Sequence, residues 1–519
     1  MNMRTRAVLY FCSICTAAIL VAGCVALPSL ENRTVSQALP ADQSHATKLG
    51  VGISRLARAH PGKSGISSLA NPLDAFVARA LIIRAAERTL DVQYYIWHKD
   101  LTGTLLLQAL REAADRGVRV RLLLDDNNTT GLDPTLSALD AHPNIEVRLF
   151  NPFTIRSPRW IGYLTDFSRL NRRMHNKSLT ADNQITIIGG RNIGDEYFGA
   201  TPDILFADLD VAAIGPIVKD VSDDFDLYWA SQSSYPVDLL LPKAESAQLQ
   251  TLASEAHEFE KDPRAAIYVK ALADSSLIRQ LKDGTIELQW ATAHMVSDDP
   301  RKGLGQVPAT QLLTHGLEQI IGNPESNLEL VSPYFVPGKA GVKGFSEMAE
   351  RGVKIKILTN SLDATDVAAV HAGYAKRRKP LLESGIILYE MKRLSSDSRR
   401  SRSAGPFGSS GSSLHAKTFS VDGERIFVGS FNFDPRSAKL NTELGFVIDS
   451  PAMARDIQAA FESKVPETSY EVHLSDEGKL YWIEQRDGKK IRYDTEPNAS
   501  FWRRASVNFL SILPIDWLL

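Results

Sequence analysis

Two short stretches, MHNKSLTAD (residues 174–182) and LHAKTFSVD (residues 414–422), share the pattern His-x-Lys-x4-Asp. Each is followed by a second shared feature, GGRN at 189–192 and GSFN at 429–432, which places His and Asn 17 residues apart in both copies. A single His-x-Lys occurs often by chance. Two copies with matching downstream glycine and asparagine indicate an internal duplication.

The duplication extends upstream of these motifs. Residues 114–125 (ADRGVRVRLLLD) resemble residues 349–360 (AERGVKIKILTN), and each copy is typical of a helix end, a glycine C-cap and a buried strand. Strands that alternate with helical patterns indicate right-handed βαβ units. The sequence therefore predicts an α/β protein of two similar lobes, each a mostly parallel or mixed β-sheet flanked by helices. We expect a pseudo-twofold axis between the lobes, with the active site at their junction.

The 519 residues divide into six segments in this interpretation. The lobes are joined by a charged helical connection and followed by a C-terminal extension with an amphipathic end. We expect a signal peptide at 1–23, a tether at 24–62, the first lobe at 63–235, the connection at 236–285, the second lobe at 286–465 and the extension at 466–519.

The N-terminus has the pattern of an export signal. Arg4 and Arg6 precede an apolar run of 15 residues, 7–21, which is short for a membrane-spanning helix. The run ends on VAGC, which resembles a bacterial lipobox in which Cys24 is lipidated and becomes the mature N-terminus. A simple anchor or a cleaved signal without lipid is the alternative. This pattern predicts a lipid-anchored membrane protein of the bacterial cell envelope, facing the periplasm.

Composition excludes several classes of chemistry. The three cysteines, Cys12, Cys15 and Cys24, all lie at the N-terminus, so no zinc–thiolate site, cysteine nucleophile or disulfide framework is possible in the body of the protein. No His-Glu-x-x-His motif or carboxylate cluster accompanies the two motif histidines, and lysine is not a usual ligand, so we expect no metal site. A net charge of −2 argues against a dedicated nucleic-acid binder.

The spacing of the motif separates catalytic from structural positions. On a strand, residues i and i+2 point to the same face, so His175 and Lys177 project together, as do His415 and Lys417. The motif aspartates have the opposite parity and begin Asp-Asn and Asp-Gly pairs, which are typical of hairpin turns. We therefore expect structural roles for Asp182, Asp422, Gly189, Gly429 and Ser430.

Convergence of the two motifs would suit an anionic tetrahedral centre. Lysine offers compact positive charge to phosphate oxygens, and Asn192, Asn432 and nearby backbone N–H groups can donate hydrogen bonds. One neutral histidine can attack phosphorus while the other, protonated, donates to the leaving oxygen. Each histidine needs a carboxylate partner. Asp208 and Glu443, each about 30 residues after a motif histidine, are the candidates, with Asp210 as a less favoured alternative.

The paired motifs, with GGRN and GSFN, resemble the phospholipase D superfamily over nearly all of the mature chain. Stretches outside the motifs are similar to bacterial cardiolipin synthases of the C type: residues 91–97, 124–128, 165–174, 358–362, 370–375 and 511–519.

This resemblance implies a metal-independent, cofactor-free double displacement through a phosphatidyl-histidine. His175 would be the nucleophile, and His415 the acid that later deprotonates the incoming alcohol; the near-symmetry of the lobes leaves the reverse order open. Phosphatidylglycerol and phosphatidylethanolamine in the membrane would combine to give cardiolipin, with either as donor. The alternatives are a phospholipase D that releases phosphatidic acid and, against the charge balance, a nuclease.

Three further segments suit a lipid substrate. A basic and aromatic segment, 151–173, has the length and composition of a binding loop, and the Ser-rich segment 394–413 is either a second one or a tolerated insertion. The apolar, aromatic C-terminus with Arg503 and Arg504 indicates an interfacial helix or, equally, a helix packed on the second lobe.

Overall fold

A computed structural model of the chain describes residues 26–200, 208–244, 246–275, 280, 283, 285–393 and 414–513. The predicted signal peptide, Cys24 and the segment 394–413 lie outside the described residues.

The first lobe is built on a mixed sheet. Its strands lie in the order β8-β4-β3-β2-β5-β6-β7-β1; β2, β3 and β4 are parallel, and the other neighbours pair antiparallel. The strands are β1 Ser64–Leu69, β2 Thr89–Ile96, β3 Arg119–Asn128, β4 Ile145–Phe150, β5 Ser178–Ala181, β6 Ile185–Gly189, β7 Asp210–Ile214 and β8 Ser234–Pro236.

The second lobe repeats this arrangement. Its strands lie in the order β9-β15-β14-β13-β10-β11-β12-β16-β17-β18, with β10, β11 and β12 parallel and the rest antiparallel. The strands are β9 Gln289–Ser297, β10 Asn327–Val331, β11 Lys354–Asn360, β12 Ile387–Met391, β13 Thr418–Val421, β14 Arg425–Gly429, β15 Leu444–Asp449, β16 Ser469–Leu474, β17 Leu480–Arg486 and β18 Lys489–Tyr493.

The two lobes are joined by backbone pairing and by a shared core. The first half of β9 pairs with β1 and the second half with β15, so one strand belongs to both sheets. Apolar side chains of both lobes, among them Ile188, Val211, Val428 and Phe446, form one buried cluster. The predicted two-lobed α/β fold is confirmed, and its parallel part is limited to three strands in each lobe.

Helices cover the sheets and form the connection between the lobes. In the connection, Ser246–Glu260 packs on Leu101–Asp115, and Pro263–Asp274 packs on Pro72–Ala85. The other described helices are Ala41–His45, Lys48–Ala57, Asp133–Asp140, Trp160–Thr165, Phe167–Leu170, Asp195–Phe198, Ile217–Trp229, Leu313–Ile321, Gly338–Glu350, Ala368–Ala375, Arg378–Glu383, Pro435–Lys439, Pro451–Glu462, Lys464–Thr468 and Phe501–Ile512.

The segment expected to be a tether, 24–62, differs from that expectation over its described part. From residue 33 onwards it lies against the first lobe, where the Arg33 guanidinium donates to the carbonyl oxygens of Ser231 (2.5 Å) and Ser234 (3.2 Å). Further along, the Ser44 hydroxyl donates to the carbonyl oxygen of Asp182 at 2.7 Å. The segment also contains an amphipathic helix, Lys48–Ala57, which buries Leu49 and Ile53 in the core of the first lobe. This apolar spacing was a usable signal that the segment is not a simple linker.

The hairpin turns after the two motifs carry the motif aspartates. Asp182 and Asp422 have left-handed backbone conformations, with φ of 51° and 56°. The Asp182 carboxylate accepts backbone N–H groups from residues 87–89, and the Asp422 carboxylate accepts those from residues 325–327. Each aspartate therefore ties its hairpin to the backbone that leads into the central strand of its lobe.

We expect Asp182→Ala to destabilise the protein by about 3 kcal/mol, because three backbone donors lose their acceptor in a buried site. Asp422→Ala should cost roughly half as much, because its carboxylate is partly exposed to water. Urea unfolding measures both changes. Asp487, which has the same left-handed backbone in an exposed turn, is the control, and Asp487→Ala should cost roughly 1 kcal/mol or less. Equal losses in all three variants would contradict this role.

Candidate active site

The two His-x-Lys segments lie immediately before β5 and β13, whereas the sequence pattern predicts that they are part of the strands. Each lysine still lies close to its histidine, because the Lys177 ammonium donates to the carbonyl oxygen of His175 and the Lys417 ammonium to that of His415. All four side chains are buried.

A polar side chain from a parallel strand holds the residue before each histidine. Asp125 of β3 accepts the N–H of Met174 at 2.7 Å, and Asn360 of β11 accepts the N–H of Leu414 at 3.1 Å. Asp125 also pairs with Arg173 at 2.9 Å. These two positions close the repeated stretches 114–125 and 349–360. A polar residue at the end of both apolar strands was the available signal for them.

The two histidines are oriented by carboxylates from opposite lobes. Nδ1 of His175 donates to Oε2 of Glu443 at 2.8 Å, and Nδ1 of His415 donates to Oδ2 of Asp208 at 2.7 Å. Each carboxylate follows the other histidine along the chain, so the pairing is crosswise. Asp210 lies elsewhere, in a buried cluster with Arg79 (2.8 Å) and Arg191 (3.2 Å).

Both histidines line one small cavity of about 30 Å³ at the junction of the lobes. The edges of aromatic rings support them: Tyr95 lies 4.9 Å from the His175 ring and Tyr197 lies 5.2 Å from the His415 ring, between centroids. The lining residues are Tyr95, His175, Pro333, Tyr334, His415, Lys417, Asn432, Asp434, Arg436, Ser437 and Asn441.

The two motif asparagines occupy different environments. The Asn192 side chain accepts the N–H of Ile96 and donates to the Tyr197 hydroxyl, both at 3.1 Å. Asn432 lines the cavity, and its buried Oδ1 has no hydrogen-bond partner within the described part of the chain. Asn192 therefore supports the site from behind, whereas Asn432 is placed to contact a bound group.

In GGRN and GSFN, the first glycine allows a close approach to a neighbouring strand, and the serine of GSFN contacts Glu443. A Cβ atom on Gly189 would lie 2.2 Å from Oδ1 of Asp210, and one on Gly429 would lie 2.4 Å from the carbonyl oxygen of Leu444. The Ser430 hydroxyl donates to Oε2 of Glu443 at 2.5 Å. Ser430 thus orients the carboxylate that orients His175, which makes the structural role expected for it more specific.

Burial and lysine charge keep both imidazoles neutral. Burial, with the positive charges of Lys177 and Lys417, lowers the pKa of His175 well below its ordinary value. Burial and the Lys417 ammonium lower the pKa of His415 to about 3. Burial also lowers the pKa of Lys417 itself, to about 8.

The two carboxylates differ in their protonation. Burial would raise the pKa of Asp208, but His415, Lys417 and Arg191 outweigh it and lower that pKa to about 2. Burial raises the pKa of Glu443 to about 7 against the opposing charge of Lys177. Asp208 is therefore fully ionised at neutral pH, whereas Glu443 is partly protonated.

Arg436 and Tyr334 are cavity residues that sequence reasoning missed. The Arg436 guanidinium reaches across to the first lobe and donates to the carbonyl oxygen (3.0 Å) and Oδ1 (2.7 Å) of Asn171. The Tyr334 hydroxyl donates to Asp366 at 2.9 Å. Arg436 follows Asn432 by four residues, at the start of the helix Pro435–Lys439, so its position after the motif was a usable signal.

The described residues include one group that could hold a metal ion: His98, Asp100 and Glu196, whose ligand atoms lie within 4.8 Å of one another. These three residues are not among those that line the cavity.

Comparison with known proteins agrees with this geometry. A family model described as "Cardiolipin synthase, PLD-like domain" matches residues 80–229 and 317–465. Cardiolipin synthase C of Escherichia coli (strain K12) is 50% identical, with 91% of this chain and 100% of that protein covered. An uncharacterized protein of Helicobacter pylori (strain ATCC 700392 / 26695) is 33% identical, with 91% and 92% covered.

A solved structure has the same fold. The crystal structure of phosphatidylserine synthase from Haemophilus influenzae Rd KW20 superposes with a TM-score of 0.55 at 14% identity, covering 90% of this chain and 100% of that one.

The duplicated lobes and the paired His-Lys motifs at their junction define an α/β protein of the phospholipase D type. The chain belongs to the phospholipase D superfamily, in its cardiolipin synthase group. Within the described residues, no helix is long and apolar enough to cross a bilayer.

We expect Glu443→Gln to stabilise the protein above pH 7 by about 3 kcal/mol, while it impairs the site. Glu443 has a folded-state pKa of about 7 against 4.5 ordinarily, so the folded protein holds a proton between these values that the unfolded chain releases. Stability therefore falls as pH rises through this window, and the glutamine variant lacks that fall. Unfolding free energies at pH 4.5 and pH 8 measure the difference.

Glu477→Gln, at an exposed carboxylate, is the control and should leave the pH dependence of stability unchanged. An unfolding free energy for Glu443→Gln that falls with pH as steeply as that of the unmodified protein would contradict the proposed protonation of Glu443.

Proposed function

We propose that this protein is a phosphatidyltransferase that forms cardiolipin from phosphatidylglycerol and a second phospholipid, phosphatidylethanolamine. The observation that carries the proposal is the pair of buried histidines, each held at Nδ1 by a carboxylate of the opposite lobe, on one shared cavity. Because Nδ1 is engaged, Nε2 is the nitrogen of each ring that carries the chemistry. Similarity to cardiolipin synthase C of Escherichia coli supports the same substrates.

The first half-reaction transfers a phosphatidyl group to the enzyme. Nε2 of neutral His175 attacks the phosphorus of the donor lipid, and a nitrogen–phosphorus bond forms as the bond from phosphorus to the headgroup oxygen breaks. His415 in its protonated form gives its Nε2 proton to that oxygen, and the headgroup alcohol leaves.

The second half-reaction passes the phosphatidyl group to an acceptor. Neutral His415 takes the proton from the primary hydroxyl of phosphatidylglycerol, whose oxygen attacks phosphorus as the nitrogen–phosphorus bond breaks. His175 is released unchanged, and His415 is again protonated for the next donor. Water as acceptor would instead give phosphatidic acid, the product of the alternative phospholipase D reaction.

The different carboxylates support His175 as nucleophile and His415 as acid. Asp208 stays ionised and stabilises a positive charge on His415, which the acid must carry. Glu443, with a pKa of about 7, is a weaker partner for an imidazolium and leaves His175 neutral. This difference breaks the near-symmetry of the two lobes.

The lysines connect substrate binding to this protonation. Lys177 and Lys417 place positive charge beside both histidines and lower their pKa values. A bound phosphodiester would bring negative charge to the same place. The pKa of His415 would then rise, so that the acid becomes protonated when substrate is present. Asn432 and Lys417, which line the cavity, would bind the phosphate oxygens, and no metal ion is required by this scheme.

One feature of the sequence supports a reaction at a membrane. The lipobox-like ending supports Cys24 as a lipidated N-terminus, and the protein as an envelope protein that faces the periplasm. A headgroup drawn from the bilayer would then reach the cavity without leaving the membrane surface. Incorporation of labelled fatty acid, lost in Cys24→Ala, tests the anchor.

We expect purified protein, incubated with vesicles of phosphatidylglycerol and phosphatidylethanolamine, to produce cardiolipin. His175→Ala and His415→Ala should each reduce the rate by at least about a thousandfold, because each removes a group needed in both half-reactions. His315→Ala, at an exposed histidine, is the control. A chelator should leave the rate unchanged, and phosphatidic acid as the sole product would establish the hydrolytic alternative.

The order of the histidines can be tested with a donor that needs no acid. With phosphatidyl-p-nitrophenol, His415→Ala should release one equivalent of nitrophenol and accumulate a phosphatidyl adduct. The adduct accumulates because transfer of the phosphatidyl group from histidine to an acceptor still needs the base. Mass spectrometry should find the adduct on His175. An adduct on His415 in the His175→Ala variant would reverse the assignment.

A further inference from the structure

Large apolar side chains are exposed on two helical elements that belong to different lobes. The first element comprises the short helices Trp160–Thr165 and Phe167–Leu170, and the second is the C-terminal helix Phe501–Ile512. Their exposed fractions run from 41% at Phe167 to 81% at Ile512. The residues are Trp160, Leu164 and Phe167 on the first element, and Phe501, Trp502, Phe509 and Ile512 on the second.

The first element lies beside the cavity of the active site. Its Tyr163 hydroxyl donates to Oδ1 of Asn127 at 2.7 Å, near the end of β3. Tyr163 also interacts electrostatically with Tyr95 and Arg436, two residues that line the cavity. Trp160, Leu164 and Phe167 project to solvent from this position.

The second element is linked to the same cavity through the segment that holds Tyr334. The Arg503 guanidinium donates to the carbonyl oxygen of Thr365, and the adjacent Asp366 accepts the hydroxyl of the cavity residue Tyr334. Val507 and Leu510 pack on Leu362 and on the helix Ala368–Ala375.

This C-terminal helix is apolar on two faces. Val507 and Leu510 cover one face by packing on the second lobe, while Phe501, Trp502, Phe509 and Ile512 recur at helical spacing on the other, exposed face. The sequence left an interfacial helix and a packed helix as alternatives. The packed role is observed for one face, and the other face is free for the interfacial role. An uncovered face rich in Trp and Phe has the composition of helices that lie in a lipid interface.

The N-terminal segment starts from the same end of the molecule. Arg33 contacts Ser231 and Ser234, and β8 pairs with the last residue of β4, Phe150. The carbonyl oxygen of Phe150 accepts from Arg173, two residues before His175. Arg33 therefore contacts the first lobe at the end of its sheet that holds the active site.

We propose that the two exposed helical elements form one docking surface for a phospholipid bilayer, with the cavity between them facing the lipid headgroups. The bilayer is the favoured occupant because the surface flanks the site proposed to act on phosphodiesters, and because its exposed tryptophan and phenylalanine side chains suit a lipid interface. The choice of a lipid partner rests on the proposed function. The placement of the surface rests on the contacts of Tyr163, Arg503 and Arg33.

The test measures contact with the bilayer by each tryptophan in the full chain. The protein is labelled with fluorotryptophan and reconstituted in vesicles of phosphatidylglycerol and phosphatidylethanolamine that carry spin-labelled lipid. Resonances are assigned with single Trp→Phe variants. Signals of Trp160 and Trp502 should broaden, while those of the buried Trp97, Trp229 and Trp482 should persist.

Matched controls come from the far end of both sheets. Val51 lies on a helix next to the Asp182 turn, and Ile387 begins β12; both are exposed apolar residues remote from the cavity. Tryptophans introduced as Val51→Trp and Ile387→Trp should not broaden. Broadening at these positions equal to that at Trp160 and Trp502, or none at Trp160 and Trp502, would overturn the proposal.

A functional arm separates docking from chemistry. The double variant Trp502→Ser with Phe509→Ser should lower turnover on vesicles by about tenfold or more, because two large apolar side chains no longer enter the interface. Turnover on dispersed short-chain lipids should stay unchanged. If no cardiolipin forms with any substrate, the proposed function fails while the broadening experiment still tests the docking surface.

A second copy of the chain is the competing occupant. It predicts dimers by light scattering that the same double variant converts to monomers, with Trp160 and Trp502 shielded from spin-labelled lipid. That combination would also overturn the proposal.

Discussion

Two crossed hydrogen bonds, from His175 to Glu443 and from His415 to Asp208, form only when the two lobes are packed against each other. A buried imidazole with a fixed Nδ1 needs an acceptor at hydrogen-bond distance, and each lobe obtains that acceptor from the other. Neither motif histidine has its carboxylate partner in its own lobe. Each lobe therefore depends on the other for a complete site. The shared strand β9 and the common apolar core hold the lobes in the position that these hydrogen bonds need.

Glu443 is held in place by several buried polar groups. Its backbone N–H donates to Oδ2 of Asp298 at 3.0 Å, and that carboxylate also accepts the Lys302 ammonium at 2.7 Å. Ser430 holds the Glu443 side chain from the opposite direction. Burying so many ionisable groups is costly unless each is paired. Burial of the charged form of Glu443 is therefore unfavourable in spite of these contacts, as its raised pKa shows.

The proposed docking surface lies close to the active-site cavity. The two helical elements of the proposed docking surface contact the surroundings of the cavity through Tyr163 and Arg503, and they expose tryptophan and phenylalanine to solvent. The near-zero net charge of the chain means that attraction to a membrane must come from such local features.

The sequence by itself determined the duplication, the two-lobed α/β fold, the hairpin turns at Asp182 and Asp422 and the family. These follow from short-range rules, namely strand periodicity, turn chemistry and a repeated motif, that act within a few residues. Tertiary structure alone decided the crosswise choice of carboxylates, the different environments of Asn192 and Asn432, and the docking of residues 33–37 on the first lobe. Those outcomes depend on how one lobe packs against the other and on which backbone carbonyls meet buried arginines. Residues far apart in the chain make these contacts, so local sequence patterns carry no record of them.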